Sequence, residues 1–569
     1  MSLAKSRKMN PRQLATDVLA KLDVSEICEQ VEIAGAGFLN FRLKNAALAQ
    51  TLQAAGRGEH LFFERAASPR TVLIDFSSPN VAKPMHVGHI RSTILGDCLA
   101  RTLRLLGHRV ITDNHIGDWG LQFGWLIVGW KKHLDRAALK ADSLGEMERL
   151  YKLVFAASKS DEKVLEEARQ EVVKLQRRDP ENLGIWQEMR DLSLSQFHAI
   201  YQRLGVRFDY TYGESNYHAR LEFLVRDLIA EGIARESDGA IVVFFDDVPP
   251  LKEHPLIIRK SDGGFNYATT DLATLESRLE TWKPDEIIYV TDGRQQLHFQ
   301  QVFAAFRKWQ AAISEGRVTR VPHIQTPGQG LAELVPPKDM KLAHVWFGSI
   351  LGEDGKPFKT RSGETVKLAD LLDEAEERAL RIVSEKNPDL PETKRKDIAR
   401  VVGLGAVKYA DLLPNRQSDY VFSWDKMLAL QGNTAPYLQY AYTRIRSIFR
   451  KSDCGGMSYT SPASSAQISD SQSSSLRIEK LTAPEEIALA KHLLNFGLTL
   501  EAAAEEYRPN YLCNYLFELA GKFTAFYENC PVLKADDATR ASRLMLCDLA
   551  ARVLKQGLET LGIETVEQM

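Results

Sequence analysis

A near-continuous apolar run, TVLIDF from Thr71, leaves no polar face and predicts a strand buried on both sides of a parallel sheet. After it, Ile90, Ile94 and Cys98, then Leu95, Leu99, Leu103 and Leu106, recur at helical spacing. They predict a helix over 87–106, closed by Gly107. RVITDN from Arg109 predicts a second strand, so the stretch reads as a βαβ unit whose strand-to-helix turn is where such units bind ligands. The same pattern resumes with a strand at 285–292 and a helix from Gln295 to Trp309. A further buried strand is expected in AHVWFGSIL from Ala343. Charge-rich helical sequence between about 131 and 250 breaks the alternation and is expected to be mostly an insertion. Residues 1 to about 60 predict a small α+β unit, with a helix near 11–22 and a strand ending at Leu43. From Glu374 the pattern is helical almost to the end, interrupted at 458–475 by a Ser-rich stretch that reads as a loop or linker. No internal repeat is evident.

Composition narrows the class. At 569 residues the chain exceeds one core, and 44% hydrophobic with 26% charged residues is ordinary for a globular protein. No run of about 18 uncharged apolar residues occurs and the N-terminal stretch has no apolar segment of the secretory kind, so a cytoplasmic protein without membrane association is expected. Six cysteines are scattered without a CxxC pair, which points away from a disulfide framework and a structural zinc site. With a net charge of −2, any nucleic-acid surface must be a local basic patch.

The candidate chemistry sits in SPNVAKPMHVGHIRSTILGD, residues 78–97, where His86 and His89 lie three apart at a helix start. As metal ligands they lack the intervening Glu of HExxH and any nearby completing side chain. As helix caps they would be merely structural. The third reading combines helix-start N–H groups, Gly88 for close approach and two imidazole donors into a phosphate cradle, which favours nucleotide chemistry. A second candidate is GKPFKTRSGE, carrying Lys356, Lys359 and Arg361 between Gly355 and Gly363. Alone it reads as a solvated charge run; beside the first motif it reads as a mobile clamp on a polyphosphate.

PNVAKPMHVGH resembles the HIGH motif of class I aminoacyl-tRNA synthetases, and PFKTRSG resembles a degenerate KMSK loop without its first lysine and Met-Ser pair. Together with DNHIGDWGLQFG, YATTDL and TVKLADLLDEA, these stretches resemble arginyl-tRNA synthetases of the bacterial type over nearly the whole chain. The resemblance implies an α/β Rossmann-type parallel-sheet catalytic domain at 61–397, with its insertion at about 131–250. It also implies a small α+β N-terminal tRNA-contacting domain at 1–60 and an all-α anticodon-binding bundle at 398–569. It implies an ATP-dependent arginine–tRNA ligase, with tRNA(Arg), L-arginine and ATP as partners, Mg2+ accompanying ATP, no protein-bound metal, and a monomer. By resemblance Asn80 and Gln295 hold the α-amino and carboxylate groups of arginine, while Glu214, Tyr267 and Asp271 line the guanidinium pocket. His86, Gly88, His89, Lys356 and Lys359 serve ATP, and His86, His89, Lys83, Lys359 and Arg361 act at the phosphates. Lys83 is a cation that could compensate for the degenerate loop. Trp119 of GDWG is expected to pack beside the site.

Paired carboxylates suit a planar guanidinium on physical grounds alone. The C-terminal helices mix Tyr, Phe, Arg and Lys; most aromatics should be core, and some should be exposed to stack on unpaired bases. Two other classes compete: an adenylate-forming ligase with an amine acceptor, which would not need the long helical C-terminus, and a non-catalytic RNA-binding or scaffold protein, which would not need both histidines, Asn80, Asp271 and the lysine loop.

Overall fold

The computed structural model describes residues 2–314, 340–358, 366–453, 478 and 481–569. Lys359, Arg361 and the Ser-rich stretch lie outside them.

The central sheet has four parallel strands in the order Arg109–Asp113, Thr71–Phe76, Glu286–Val290, Lys341–His344. Val72 stands between Val110 and Glu286 in register, and Val72, Leu73, Ile74 and Phe76 are wholly buried. That double burial is why the run has no polar alternation. From the Thr71–Phe76 strand the chain crosses to one neighbour and returns on the other side, so a crevice opens at the carboxyl ends of these strands. The expected strand from Ala343 is two short pieces, Lys341–His344 and Ile350–Leu351, the second pairing in parallel with Tyr420–Val421. The break between them is taken up by backbone bonds to other elements, among them Gly348 N–H to the Arg416 carbonyl.

The helix of the first crossover runs Gly88–Leu105, and Gly107 turns the chain with φ +88°. The region expected as an insertion has two parts. Helices over 122–204, ending in the 25-residue helix Pro180–Leu204, share the main core. A three-stranded antiparallel sheet, Ala234–Ser237, Ala240–Val243 and Leu256–Arg259, joins a second core with the helix Tyr267–Trp282. Its first hairpin closes on Asp238–Gly239 with φ +50° and +78°, a two-residue turn that needs left-handed backbone at both positions.

Arg278, fully buried in the helix Tyr267–Trp282, bonds Asp75 at 2.6 Å and Asp113 at 2.8 Å. It thereby fastens Asp271, two turns earlier on the same helix, to the ends of two sheet strands.

The N-terminal unit has a helix Pro11–Leu19, capped by the Asn10 side chain, and an antiparallel pair, Cys28–Ala34 with Phe38–Leu43. C-terminal helices from Leu368 to Thr560 pack on the central sheet layer as one continuous core, sealed by the buried ion pair of Arg91 with Asp411 at 3.0 Å. Among the described residues no helix is long and apolar enough to cross a membrane.

Candidate active site

The crevice is built first from a distorted turn. Ser77, Ser78 and Ala82 all have positive φ, at +73°, +48° and +63°. Three such non-glycine residues in six positions persist only where surroundings over-determine them. Here the backbone N–H of Ser77 donates to Ser92 Oγ at 2.8 Å, that of Ser78 to Asn114 Oδ1 at 3.1 Å, and that of Ala82 to Ser193 Oγ at 3.0 Å. Tyr201 adds a hydroxyl contact to Ser77 Oγ at 2.8 Å. Ser193 and Tyr201 belong to the helix Pro180–Leu204, so part of the expected insertion is a buttress of the site.

The turn delivers the two histidines together, with ring centroids 4.1 Å apart. Gly88 N–H donates to His86 Nδ1 and His86 N–H to His89 Nδ1, each at 3.1 Å. Accepting the Gly88 N–H places the His86 ring proton on Nε2, while His89 Nδ1 also lies 3.3 Å from the His86 carbonyl. Burial and the neighbouring Lys83 hold the His86 pKa below its ordinary value; burial, then His86, push that of His89 down to about 3. Both rings are therefore uncharged donors at neutral pH.

The expectation of free N–H groups at this helix start is corrected. Gly88, His89 and Ile90 N–H groups find acceptors in His86 Nδ1, the His86 carbonyl and the Val87 carbonyl, because the chain enters the helix through tight local turns. A Cβ on Gly88 would lie 2.8 Å from His86 Cε1, so glycine here makes room for the imidazole itself.

The C-terminal end of the lysine loop flanks this cradle. Val87 N–H donates to the Val366 carbonyl and Leu368 N–H to the Met85 carbonyl, both at 2.9 Å, which sets Lys367 opposite His86. At the loop's other end Phe358 stacks on Phe422 with centroids 4.5 Å apart, and exposed Lys356 follows the Gly355 turn. Lys83 Nζ sits over the Tyr151 ring at 4.7 Å.

Across the crevice lies an acidic pocket. Glu214 starts the turn Glu214–Arg220 and its carboxylate accepts the backbone N–H of Trp119; burial, then Asp271 and Asp118, push its pKa up to about 8. Asp271 accepts a bond from His298 Nε2 at 2.6 Å. Tyr267 is 74% exposed at the start of its helix, close enough for Glu214 to raise its pKa further after burial. Asn80 lies over Gly117, where a Cβ would meet Asn80 Oδ1 at 2.1 Å. Gln295 ends the short turn Gly293–Gln295 with its side chain exposed. The structure thus brings Glu214, Tyr267 and Asp271 together.

Two contributors escaped the sequence reading. Asp118 of GDWG accepts both N–H and Oγ–H of Ser215, at 2.9 and 2.8 Å, and so fixes the residue beside Glu214. Trp119 packs against Trp186 and His218, as expected. His298, three residues after Gln295, orients Asp271; its place in the first turn of the helix Gln296–Ser314 was the available signal. Among the described residues no group of three or more His, Cys, Asp or Glu is placed to hold a metal ion.

Comparison with known proteins bears on the chemistry. Residues 51–327 and 331–424 match the family model for tRNA synthetases class I (R), catalytic domain. Residues 438–569 match the DALR anticodon binding domain, and 1–43 the arginyl tRNA synthetase N terminal domain. The chain is 46% identical over 574 residues to an arginine–tRNA ligase of Proteus mirabilis and 45% identical over 581 residues to one of Hahella chejuensis. Each alignment covers 100% of this chain and 92% of the relative. Among solved structures, the arginyl-tRNA synthetase of Thermus thermophilus superposes with a TM-score of 0.79 at 27% identity, covering 100% of this chain and 93% of that one. That of Plasmodium falciparum gives 0.77 at 30%, covering 100% and 90%.

Proposed function

The chain belongs to the arginyl-tRNA synthetase family of class I enzymes, and on that premise we propose that the histidine cradle and the acidic pocket are the two halves of its reaction centre. The enzyme is an ATP-dependent ligase that activates L-arginine to arginyl-adenylate and transfers the arginyl group to tRNA(Arg). In the first step an arginine carboxylate oxygen attacks the α-phosphorus of ATP, which arrives as its Mg2+ complex, and pyrophosphate leaves. In the second a ribose hydroxyl of the terminal adenosine, the 2′-OH in this reading, attacks the acyl carbon and AMP leaves.

His86 and His89 donate through Nε2–H to phosphate oxygens that gain charge during the attack. As neutral donors they do not hold pyrophosphate by charge, which is left to Lys83 and the loop residues Lys356, Lys359 and Arg361. Asn80 and Gln295 take the α-amino and carboxylate ends of arginine. Residues 1–60 contact tRNA, 61–397 carry the catalysis with the insertion at about 131–250, and 398–569 bind the anticodon arm, exposed Tyr440 being one stacking candidate. The enzyme acts as a cytoplasmic monomer.

The observation that carries this reading is Glu214, buried and near enough to Asp271 for that carboxylate to add to the rise of its pKa, a repulsion that a proton or a cation between them relieves. A guanidinium supplies that cation in a planar fork. Losing one charge-assisted contact costs about 1.5–3 kcal/mol. Asp271→Asn should therefore lower kcat/KM for arginine about tenfold or more. Unchanged arginine kinetics would remove Asp271 from the pocket.

The raised pKa of Glu214 sets a pH dependence. The proton kept at neutral pH must leave when the guanidinium docks, so the arginine KM should fall as pH rises from about 6 towards 8, by up to about tenfold per unit. It should level off above that. Ligand-free stability carries the opposite sign: the contribution from this proton is full below the unfolded carboxyl pKa and is lost as pH rises through about 8. Glu214→Gln should flatten the KM profile; a slope surviving in that variant would assign the titration elsewhere.

A further inference from the structure

The break between the sheet strand Lys341–His344 and the short strand Ile350–Leu351 is a junction of three parts of the molecule. The Phe347 carbonyl accepts the Gly293 N–H at 3.0 Å, seating the turn Gly293–Gln295 against it. The Gly348 carbonyl accepts Arg91 Nη1 at 2.8 Å, from the helix that begins with the histidine motif. The Trp346 carbonyl accepts Arg416 Nη1, while Arg416 Nε donates at 3.0 Å to the Tyr507 carbonyl, in the link between the C-terminal helices Phe496–Glu505 and Asn510–Asn529. Arg416 is only 9% exposed, and its own carbonyl accepts the Gly348 N–H at 2.9 Å.

From this juxtaposition we infer that Arg416 is a positioning residue through which the C-terminal helical block sets the turn that faces arginine. A planar guanidinium bonded to carbonyls of both parts fixes their separation in a way a single-point ammonium cannot. Residue 346 is adjacent to the carbonyl that holds Gly293, and the helix following that turn carries His298, the partner of Asp271. The histidine cradle has further holds that Arg416 does not touch, the buried Arg91–Asp411 ion pair and backbone pairing with Val366 and Leu368. Loss of the Arg416 bridge should therefore disturb the arginine side and spare the ATP side.

The inference rests on the pocket assignment above, and the arginine kinetics of Asp271→Asn test that assignment by themselves. The test of Arg416 is a split between two constants, measured in exchange assays with the full chain and saturating tRNA. A small misplacement remote from the chemistry suffices for large losses, so Arg416→Lys should raise the arginine KM about tenfold while the ATP KM stays within about twofold. Gly293→Ala presses on the same contact from the other side, its Cβ meeting Trp346 Cε3 at 3.0 Å and the Phe347 carbonyl at 3.3 Å. It should show the same split, and it decides the matter should the Arg416 variant not fold. A general loss of structure lowers the amount of active enzyme and moves neither constant. The inference is overturned if the ATP KM rises in step with the arginine KM, or if the arginine KM is unchanged in both variants.

Discussion

Lysine offered in place of arginine should be activated with a kcat/KM lower by about 10⁴-fold, the order of discrimination reached when a site built for hydrogen bonds is left unpaired. The physical ground is the arrangement of acceptors. Glu214 is fixed by the Trp119 N–H and by the Asp118–Ser215 contacts beside it, and Asp271 is fixed by His298 and by the Arg278 anchor on its helix. These carboxylates stand on separate elements and cannot close on a smaller group. A guanidinium presents paired donors in a plane; an ammonium is a point charge that satisfies one carboxylate and leaves the other desolvated. Pyrophosphate exchange with tRNA present, run with each amino acid in turn, measures the ratio. Lysine within about tenfold of arginine would mean that the pocket reads charge and not shape.

The second large effect belongs to the histidines. Removing one preorganised donor to developing charge costs about 10²–10³ in rate, so His89→Ala should depress arginyl-adenylate formation by that factor while tRNA affinity stays nearly intact. The uncharged state of both rings adds a condition: activity should not fall away as pH rises through 6 to 7, as it would if an imidazolium were required. Lys83→Ala and Lys359→Ala separate the cation roles. Lys83 lies beside His86 and over Tyr151, on the insertion side of the crevice. If Lys83→Ala keeps near-normal exchange while Lys359→Ala loses it, the loop alone clamps the phosphates.

What could be read in the chain follows the range of the forces involved. The buried parallel strands and the helix after them were legible because burial on two faces and on one helical stripe each leaves a local period, as in TVLIDF and Ile90 to Leu106. His86 and His89 were read from the strand-to-helix turn itself and Glu214 and Asp271 from the resemblance, and the structure brings the histidines together and the carboxylates together. The Asp238–Gly239 hairpin carried a local Asp-Gly turn signal, but its strands are only four residues each and were masked by surrounding charge. Tyr201 and Ser193 could not be assigned to the site by pattern, since they reach Ser77 and Ala82 across more than a hundred residues. The continuous strand expected from Ala343 failed because its middle residues bond to Gly293, Arg91 and Arg416, partners that no local pattern reports.

This crevice is expected to make arginyl-tRNA. The most direct measurement is the charging of an unfractionated tRNA pool with ATP and each standard amino acid in turn, followed by sequencing of the acylated tRNAs. Charging is expected with arginine alone, on tRNA(Arg) alone, and slowed in Asp271→Asn and His89→Ala by the factors given above. Charging with another amino acid, arginyl transfer to a small amine without tRNA, or RNA binding without any acylation would contradict it.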